Sequence, residues 1–144
     1  MARAKAMGFN ELDKMLNKLM KPETMAVKAV DAAVPVIEKN MKARIKSVAN
    51  RVDGKGRPYS TGELAASVSA TDATENAYGV FSAVRPIGED AKGMRNVEKM
   101  AYLEYGVASH GQEPRPIRQK VINESEGECL KIMKDVIYSE VDKL

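Results

Sequence analysis

The sequence contains few of the residues that build disulfide scaffolds and metal centres. Of its 144 residues, one is cysteine, one is histidine and none is tryptophan, and aromatic residues make up 5%. Because Cys129 is the only cysteine, a disulfide scaffold is excluded. Because His110 is the only histidine, a His-rich metal site is excluded too, and the ligands that zinc requires are missing. We therefore expect neither a metal nor a cofactor.

Long apolar runs are also missing. No stretch approaches the ~20 apolar residues that span a bilayer, and the basic start Met1–Lys5 lacks the apolar stretch of a signal peptide. We expect no membrane partner, and a protein that stays in the cytosol or leaves it without a secretory signal. With 44% hydrophobic and 30% charged residues, the composition is that of an ordinary globular domain. Residues 1–144 are expected to form one domain, with 1–8 flexible.

Charge is distributed unevenly along the chain. The formal net charge of +3 combines a basic part, residues 1–58 with +7, and an acidic part, residues 59–144 with −4. Such asymmetry is typical of a nucleic-acid surface, but it also favours attraction between copies of the chain. Composition alone leaves both interpretations open.

Apolar residues recur at helical spacing in the basic part and predict two helices. The first covers Phe9–Met20, and its apolar face consists of Phe9, Leu12, Leu16 and Leu19. It ends at Lys21, because proline restricts the residue before it. Pro22 then begins a long second helix whose apolar stripe runs as far as Val52. Pro35 interrupts this stripe, so we expect a kink or a break near Ala33–Val34.

Three lysines, Lys39, Lys42 and Lys46, lie on the face of the second helix opposite its apolar stripe. We favour a solvated helix face as their interpretation. The alternative is a surface that meets phosphate or an acidic neighbour, which Lys55 and Arg57 in the following loop would extend. The spacings of helix-turn-helix and zinc-finger proteins are missing, so the sequence does not favour base-specific recognition.

The middle of the sequence indicates loops and short strands. Glycine and proline make Asp53–Pro58 a loop. From Ser67 the pattern alternates through Val68 and Ala70 and again from Tyr78 to Ala83. Asp72–Asn76 supplies turn residues between these two short strands, which predicts a β-hairpin. The polar stretch Pro86–Asn96 has no periodicity, and we expect residues 86–98 to form a mobile loop.

The last third ends in a long helix. Met100–Gly106 fits either a strand or a short helix closed by Gly106 in a left-handed cap. A final helix is predicted from Ile117 to about Val141. Its apolar stripe consists of Ile117, Val121, Cys129, Ile132, Met133, Val136 and Ile137. The order helix, helix, strands, helix indicates an α+β fold.

No arrangement of residues indicates catalysis. Ser109, His110 and Glu104 are almost adjacent in the sequence, and no nucleophile elbow surrounds the serine. The acidic pair Glu89-Asp90 falls in the polar loop, where no fixed geometry for acid–base chemistry is expected. Gly54–Gly56 follows no strand and opens no helix, unlike a phosphate-binding loop. We expect that the protein is not an enzyme.

Three short motifs carry a family resemblance. They are Tyr59–Val68 (YSTGELAASV), Ala101–Gly106 (AYLEYG) and Pro114–Arg118 (PRPIR). Their order and spacing resemble those of the Hong Kong 97 gene-product-ten family, small neck and tail-completion proteins of tailed phages, over nearly the whole chain. The motif positions are Thr61, Gly62, Leu64, Ser67, Glu104, Tyr105, Gly106, Arg115 and Pro116.

The chain departs from the family pattern at three positions and in one loop. Val107 stands where the family commonly has Thr or Ser, Ile117 replaces an aromatic residue, and Gln119 stands where a further proline is common. The polar loop before the second motif is longer than usual. These differences concern the branch of the family and the type of tail that it serves.

The resemblance implies long N-terminal and C-terminal helices packed on a small antiparallel or mixed β-sheet. It also implies a structural virion protein of the head–tail junction or tail terminus, present in the host bacterial cytoplasm during assembly. Such a protein self-assembles into a ring around the DNA channel and contacts other phage connector or tail proteins. In that setting we favour opposite charges meeting between neighbouring subunits, with non-specific DNA contact as a secondary effect. The alternative function is non-sequence-specific nucleic-acid binding by the basic N-terminal half.

Loop residues are the expected contacts with these partners, because loops commonly become ordered on binding. The candidates are Lys55, Arg57, Glu89, Asp90, Lys92 and Arg95. The competing interpretation, that these side chains are simply solvated, is equally strong.

The motifs also have a physical interpretation of their own. Thr61 is expected to cap a short helical turn, with Gly62 allowing a tight bend and Leu64 reaching the core. Glu104 is expected to form an ion pair with Arg115 or Arg118, because a guanidinium binds a carboxylate in bidentate geometry. This pair would hold the last helix against the sheet.

Overall fold

Two long antiparallel helices form the frame of the structure, a computed structural model that describes residues 14, 17, 22–51, 54–56 and 60–143. The helices are α1 (Pro22–Val48), α2 (Glu63–Ala66), α3 (Asn96–Tyr105) and α4 (Arg118–Asp142). At one end of the α1–α4 pair, Lys28 Nζ lies 2.7 Å from Glu140 Oε2. Toward the other end, Arg44 donates two hydrogen bonds to the carbonyl oxygen of Pro116. The start of α1 therefore lies beside the end of α4.

Small residues and one polar pair build the interface between α1 and α4. Ala29 and Ala33 are buried, so little side-chain volume separates the helices at this point, and the Cys129 thiol lies 3.6 Å from the Ala33 carbonyl oxygen. Asn40 Nδ2 donates to the hydroxyl of the buried Ser125 at 2.9 Å. Sliding one helix along the other would leave these polar groups without partners, so the pair fixes the register.

The course of α1 differs from the sequence prediction in two respects. The helix runs unbroken through Pro35, so a break near Ala33–Val34 is wrong. Proline removes only one helical hydrogen bond, the one to the Asp31 carbonyl, and buried side chains on both sides of it hold the helix in place. The helix also ends at Val48, one turn before the predicted limit. The predicted helix Phe9–Met20 lies outside the described residues, except for Lys14 and Asn17.

Four short strands form two antiparallel pairs. They are β1 (Val68–Ala70), β2 (Thr74–Asn76), β3 (Gly79–Phe81) and β4 (Val84–Pro86). β2 pairs with β3, and the flanking strands β1 and β4 pair with each other. In this register Val68 lies opposite Pro86, and Thr74 lies opposite Phe81. One hairpin is therefore nested inside the other.

The hairpin prediction is right about β1 but wrong about its partner. Part of the predicted turn, Thr74–Asn76, is strand β2, and the turn falls at Ala77-Tyr78. β1 pairs with β4, which ends at Pro86, the first residue of the segment predicted as a loop. The reason is burial, since Val68 and Pro86 are both buried, whereas β2 is exposed along its length.

The segment around the second motif is helical. α3 begins at Asn96 and is followed by Gly106, with φ 73° and ψ 176°. The φ angle is positive, as a glycine cap requires, but the ψ angle is extended and not left-handed helical. The predicted loop is therefore shorter than 86–98, because α3 begins inside it. α4 begins and ends within one residue of the predicted helix.

The core lies where α1, α2, β1, α3 and α4 meet. Its buried residues are Met41, Ile45, Leu64, Ala65, Val68, Met100, Ile117 and Val121. Long helices from both halves of the chain pack with small antiparallel strand pairs, so the predicted α+β class is confirmed. None of the helices described is long and apolar enough to cross a membrane.

Candidate functional site

The three sequence motifs meet at one open cleft of about 750 Å³. This motif cleft lies between the end of α1, helix α2, the loop before α3, helix α3 and the segment that leads into α4. Its lining includes Ser60, Thr61, Glu63 and Leu64 from the first motif, Tyr102 and Leu103 from the second, and Arg115 from the third. The other lining residues are Ala49, Arg51, Asp90, Ala91, Lys92, Lys99 and Gln112. Segments that are far apart in the sequence thus share one surface.

Glu104 joins the second motif to the third by capping α4. Its Oε2 accepts hydrogen bonds from the backbone N–H groups of Ile117, at 2.8 Å, and Arg118, at 3.1 Å. The first N–H groups of a helix have no partner within the helix, and the helix dipole favours negative charge at that end. A carboxylate from a neighbouring helix supplies both the acceptor and the charge.

The predicted ion pair of Glu104 with an arginine is therefore wrong. Among the described residues, Arg115 donates through Nη1 to the carbonyl oxygen of Val48, and Arg118 donates through Nη1 to the Tyr105 hydroxyl at 3.3 Å. Both arginines thus have other partners, and the N–H groups of α4 meet the carboxylate first. Glu104 does hold the last helix in place, but against α3 and not against the sheet.

Arg115 links the third motif to the end of α1. Its guanidinium meets the Val48 carbonyl, one of the last carbonyls of α1 and therefore without a helical partner. A positive charge at this end is favoured by the helix dipole. The Arg115 backbone N–H donates to the Leu103 carbonyl at 2.8 Å. Charges of opposite sign thus complement the end of α1 and the start of α4, which fixes both helices around the cleft.

Gly106 is the point of closest backbone approach at this site. A Cβ atom at this position would lie 2.5 Å from the Gln112 carbonyl oxygen and 2.8 Å from the Pro114 nitrogen. The segment 107–112 closes through two backbone hydrogen bonds between Val107 and Gln112. A glycine is therefore needed to let the second motif lie directly against the start of the third.

The first motif forms the opposite wall of the cleft. Gly62 precedes α2 with φ 82°, a positive value that allows the tight bend predicted at this glycine. Thr61 Oγ1 accepts a long hydrogen bond, 3.4 Å, from the Glu63 N–H, so it stabilises the turn before the helix and does not occupy the capping position itself. Leu64 is buried in the core, as predicted. Ser67 Oγ donates to the Leu64 carbonyl at 2.7 Å and closes the short helix.

Asp90 organises the loop that borders the cleft. Its Oδ1 accepts hydrogen bonds from the N–H groups of Lys92 and Met94, at 2.8 and 2.9 Å, and its Oδ2 lies 2.5 Å from Lys99 Nζ on α3. The Lys99 ammonium and the Met94 N–H lower the pKa of this carboxyl to about 2. The Asp90 carboxylate therefore binds groups of its own loop and of α3. The mobility of this segment stays a prediction.

Acid is expected to loosen this loop. The pKa of Asp90 is lower in the folded protein than its ordinary value of 3.8. The carboxylate therefore contributes stability at neutral pH, and this contribution is lost as pH falls from about 4 to about 2. Hydrogen exchange of residues 87–95, measured from pH 5 to pH 2, should show the onset of opening in this range after correction for intrinsic exchange rates. Asp90→Asn should remove the pH dependence, while Asp72→Asn, at an exposed position outside the loop, should not. Identical profiles for wild type and Asp90→Asn would contradict the assignment.

The other predicted assembly contacts do not all lie in one part of the structure. Lys92 is exposed and lines the cleft, and Arg95 is exposed directly before α3. Arg95 forms an ion pair with Glu98 on the first turn of α3 and a backbone bridge with Glu89. Lys55 is exposed in a turn, and Arg57 lies outside the described residues. The structure therefore brings together the four candidates of the second loop, and contact with a partner stays a prediction for all six.

The three lysines of α1 line a separate shallow groove of about 480 Å³. Lys42 Nζ lies 2.5 Å from Glu38 Oε1, which neutralises one of the three charges. Lys39 and Lys46 are exposed. This groove lies along the helix, and its contact with phosphate stays a prediction.

Electrostatically, the motif cleft is a cationic recess with a partly apolar floor. Four basic side chains and two acidic ones line it, and Lys99 is paired with Asp90. Leu64 and Leu103 provide apolar surface. The part of the chain that the structure describes contains no group of three or more His, Cys, Asp or Glu side chains that could hold a metal ion. The arrangement is suited to binding an acidic, partly apolar surface.

The sequence prediction misses some residues at the site and the roles of others that it names, such as Asp90 and Glu104. Lys99 and Gln112 lie in none of the three motifs. Nothing in the sequence distinguishes Arg44 from the other charged residues of a basic helix. Asp90 had a usable signal, since an aspartate four residues before Met94 in a Gly-containing loop is typical of a turn whose backbone bonds to a carboxylate. The capping role of Glu104 could have been inferred from the position of an acidic residue before a predicted helix start, had α3 been assigned as a helix.

Comparisons of the chain with family models, curated proteins and solved structures find no match.

Proposed function

We propose that this chain is a structural virion protein of a tailed phage or prophage, which acts at the head–tail junction or the tail terminus. The observation that carries the proposal is the convergence of the three motifs on one cleft. Residues of all three motifs line this cleft. Glu104 and Gly106 join the second motif to the third, and so does the Arg115 N–H, which donates to the Leu103 carbonyl. The family resemblance therefore concerns residues that act together in the fold, and not three unrelated short matches.

The surface supports a role in assembly. Large apolar side chains are exposed on several elements, including Tyr78 at the tip of the β2–β3 hairpin and Leu130 on α4. Exposed apolar surface with polar or charged residues at its edge is typical of interaction sites. The motif cleft offers such a combination, with Arg51 and Lys92 at its rim.

In this proposal the protein works by oligomeric assembly around the DNA channel and not by turnover. Copies of the chain and neighbouring connector or tail proteins are its partners, and the virion is its location. The cationic cleft accepts an acidic segment of a neighbour, because charge complementarity fixes the partner and its orientation.

Deletion of the gene tests the proposal directly. Phage particles made without this protein should accumulate as unjoined heads and tails, and infectivity should return when the protein is supplied in trans. Lys92→Glu, at the rim of the cleft, should reduce the rescued titre by about tenfold or more. Lys120→Glu, at an exposed position on α4, is the matched control. Fully infectious particles from the deletion strain would overturn the proposal.

A second candidate function, non-sequence-specific nucleic-acid binding, is favoured by the groove that carries Lys39 and Lys46. Binding to a DNA duplex should then weaken steeply between about 50 and 200 mM salt, because bound phosphates release counterions. Lys39→Glu combined with Lys46→Glu should abolish it. If DNA binding is weak and these substitutions do not change it, the result contradicts the second candidate and favours assembly as the function.

A further inference from the structure

The β2–β3 hairpin presents large aromatic side chains to solvent. β2 is exposed along its length, Tyr78 at the tip is 98% exposed, and Phe81 on β3 is 47% exposed. A tyrosine that lies almost wholly in water adds no apolar burial to the fold. Tyrosine is also enriched among the residues that dominate binding energy at interfaces. We call residues 72–81 the exposed hairpin, and its tip has the character of a binding element.

The charge of this region has one sign. Residues 67–84 contain two acidic side chains, Asp72 and Glu75, and no lysine or arginine. Both acidic residues are exposed. Neither carboxylate forms an ion pair with another residue of the described structure. The exposed hairpin therefore carries two uncompensated negative charges close to an exposed tyrosine.

The motif cleft has the complementary features. Arg51 and Lys92 are exposed at its rim, and within the described part of the chain neither side chain forms an ion pair. The cleft, about 750 Å³, is large enough for a tyrosine side chain, and Leu64 and Leu103 give it apolar surface. Two unpaired cations beside an apolar floor thus match two unpaired anions beside Tyr78, in sign and in number.

The exposed hairpin cannot occupy the cleft of its own chain. At its base the Ala73 N–H donates to Asp31 Oδ1 at 3.0 Å, and α1 continues from Asp31 to Val48, about 25 Å along the helix axis. The five residues from Ala73 to Tyr78 span at most about 18 Å when fully extended. The tip therefore falls short of the rim at Arg51, and the hairpin that enters a cleft belongs to another molecule.

We propose that the exposed hairpin of one copy inserts its tip into the motif cleft of a second copy. Tyr78 then lies on the apolar floor, and Asp72 and Glu75 face the two cations of the rim. The inference rests on the proposed function, in which the cleft accepts an acidic segment of a neighbour, and it identifies that neighbour as the same protein. Because hairpin and cleft are different surfaces, the contact is heterologous, and its repetition builds a ring or a filament.

Charge reversal in the full-length protein tests the proposal. The hairpin variant combines Asp72→Lys with Glu75→Lys, and the cleft variant combines Arg51→Glu with Lys92→Glu. Each variant alone should raise the concentration at which half of the protein is associated by at least about tenfold, measured by sedimentation velocity. An equimolar mixture of the two should associate like wild type, because each hairpin then meets a cleft of opposite charge. Misfolded variants could not restore association in this way.

The matched control makes the same change of charge elsewhere. Glu124→Lys combined with Glu128→Lys, at exposed positions on α4, should leave self-association unchanged. Wild type that stays monomeric up to its solubility limit, a hairpin variant that associates like wild type, or a mixture that does not associate would each overturn the proposal. Loss of association in the α4 control but not in the hairpin variant would overturn it in favour of α4 as the acidic segment.

Phage complementation separates this inference from the proposed function. If the deletion strain accumulates unjoined heads and tails but the hairpin variant restores the full titre, the virion role stands and the hairpin contact is overturned. If the deletion strain is fully infectious while self-association depends on the hairpin and cleft charges as expected, the virion role alone is overturned.

Discussion

Replacing Gly106 by alanine is expected to lower the free energy of unfolding by about 3 kcal/mol or more. Two costs combine at this position. The backbone has φ 73° with an extended ψ, a region that is almost closed to residues with a Cβ atom. The new Cβ would also lie 2.5 Å from the Gln112 carbonyl oxygen, so the segment that leads into α4 would have to move.

Gly111→Ala is the matched control for this prediction. Gly111 has φ 64°, and a Cβ atom there would meet nothing within 4 Å. The cost of this control is that of the backbone conformation alone, about 1 kcal/mol. Urea denaturation of the two variants and the wild type gives both values. If the two variants were equally stable, the close approach at Gly106 would not be the constraint that we infer.

Replacing Glu104 by alanine is expected to cost about 2 kcal/mol, because two backbone N–H groups at the start of α4 lose their acceptor. One of them belongs to Ile117, which is fully buried, and water cannot readily replace the carboxylate there. Glu104→Gln should cost about half as much, since the amide oxygen can still accept a hydrogen bond but the charge that complements the helix dipole is lost.

A double-mutant cycle separates this capping role from an ion pair. Arg118→Ala removes the guanidinium but keeps the backbone N–H that Glu104 accepts. The cost of Glu104→Ala should therefore be the same in both backgrounds, within about 0.5 kcal/mol. A coupling energy well above that value, measured by chemical denaturation, would restore the arginine as the true partner of Glu104.

The sequence predicts the long helices well and the strand pairing badly, for physical reasons. Periodic apolar residues such as Ile45 and Val121 mark a buried helix face, whatever its partner is. The pairing of β1 with β4 depends instead on which residues reach the core. The sequence around Pro86 does not indicate that this residue is buried. Thr74–Asn76 even has the composition of a turn, because its strand is exposed and needs no apolar face.

At the candidate site, residue types were predictable and partners were not. Glycine in the second motif indicates a special backbone conformation at Gly106, but its neighbour at 112–114 is set by the return of the chain. Glu104 was correctly expected to hold the last helix. The predicted arginine partner is wrong because an arginine is visible in a sequence, whereas a free backbone N–H becomes evident only once the start of the helix is known.

The antiparallel packing of α1 against α4 also affects how the chain folds. The residue pairs that join these helices, such as Asn40 and Ser125, are about 70 to 110 positions apart in the chain. Contacts of such long range slow folding, because a large loop must close before they contribute. During synthesis α1 leaves the ribosome well before α4 has been made. Until then the apolar face of α1 cannot pack against α4. The nascent chain is thus exposed to aggregation until its last helix arrives, and we expect its folding yield in the cell to depend on chaperones that bind apolar helices.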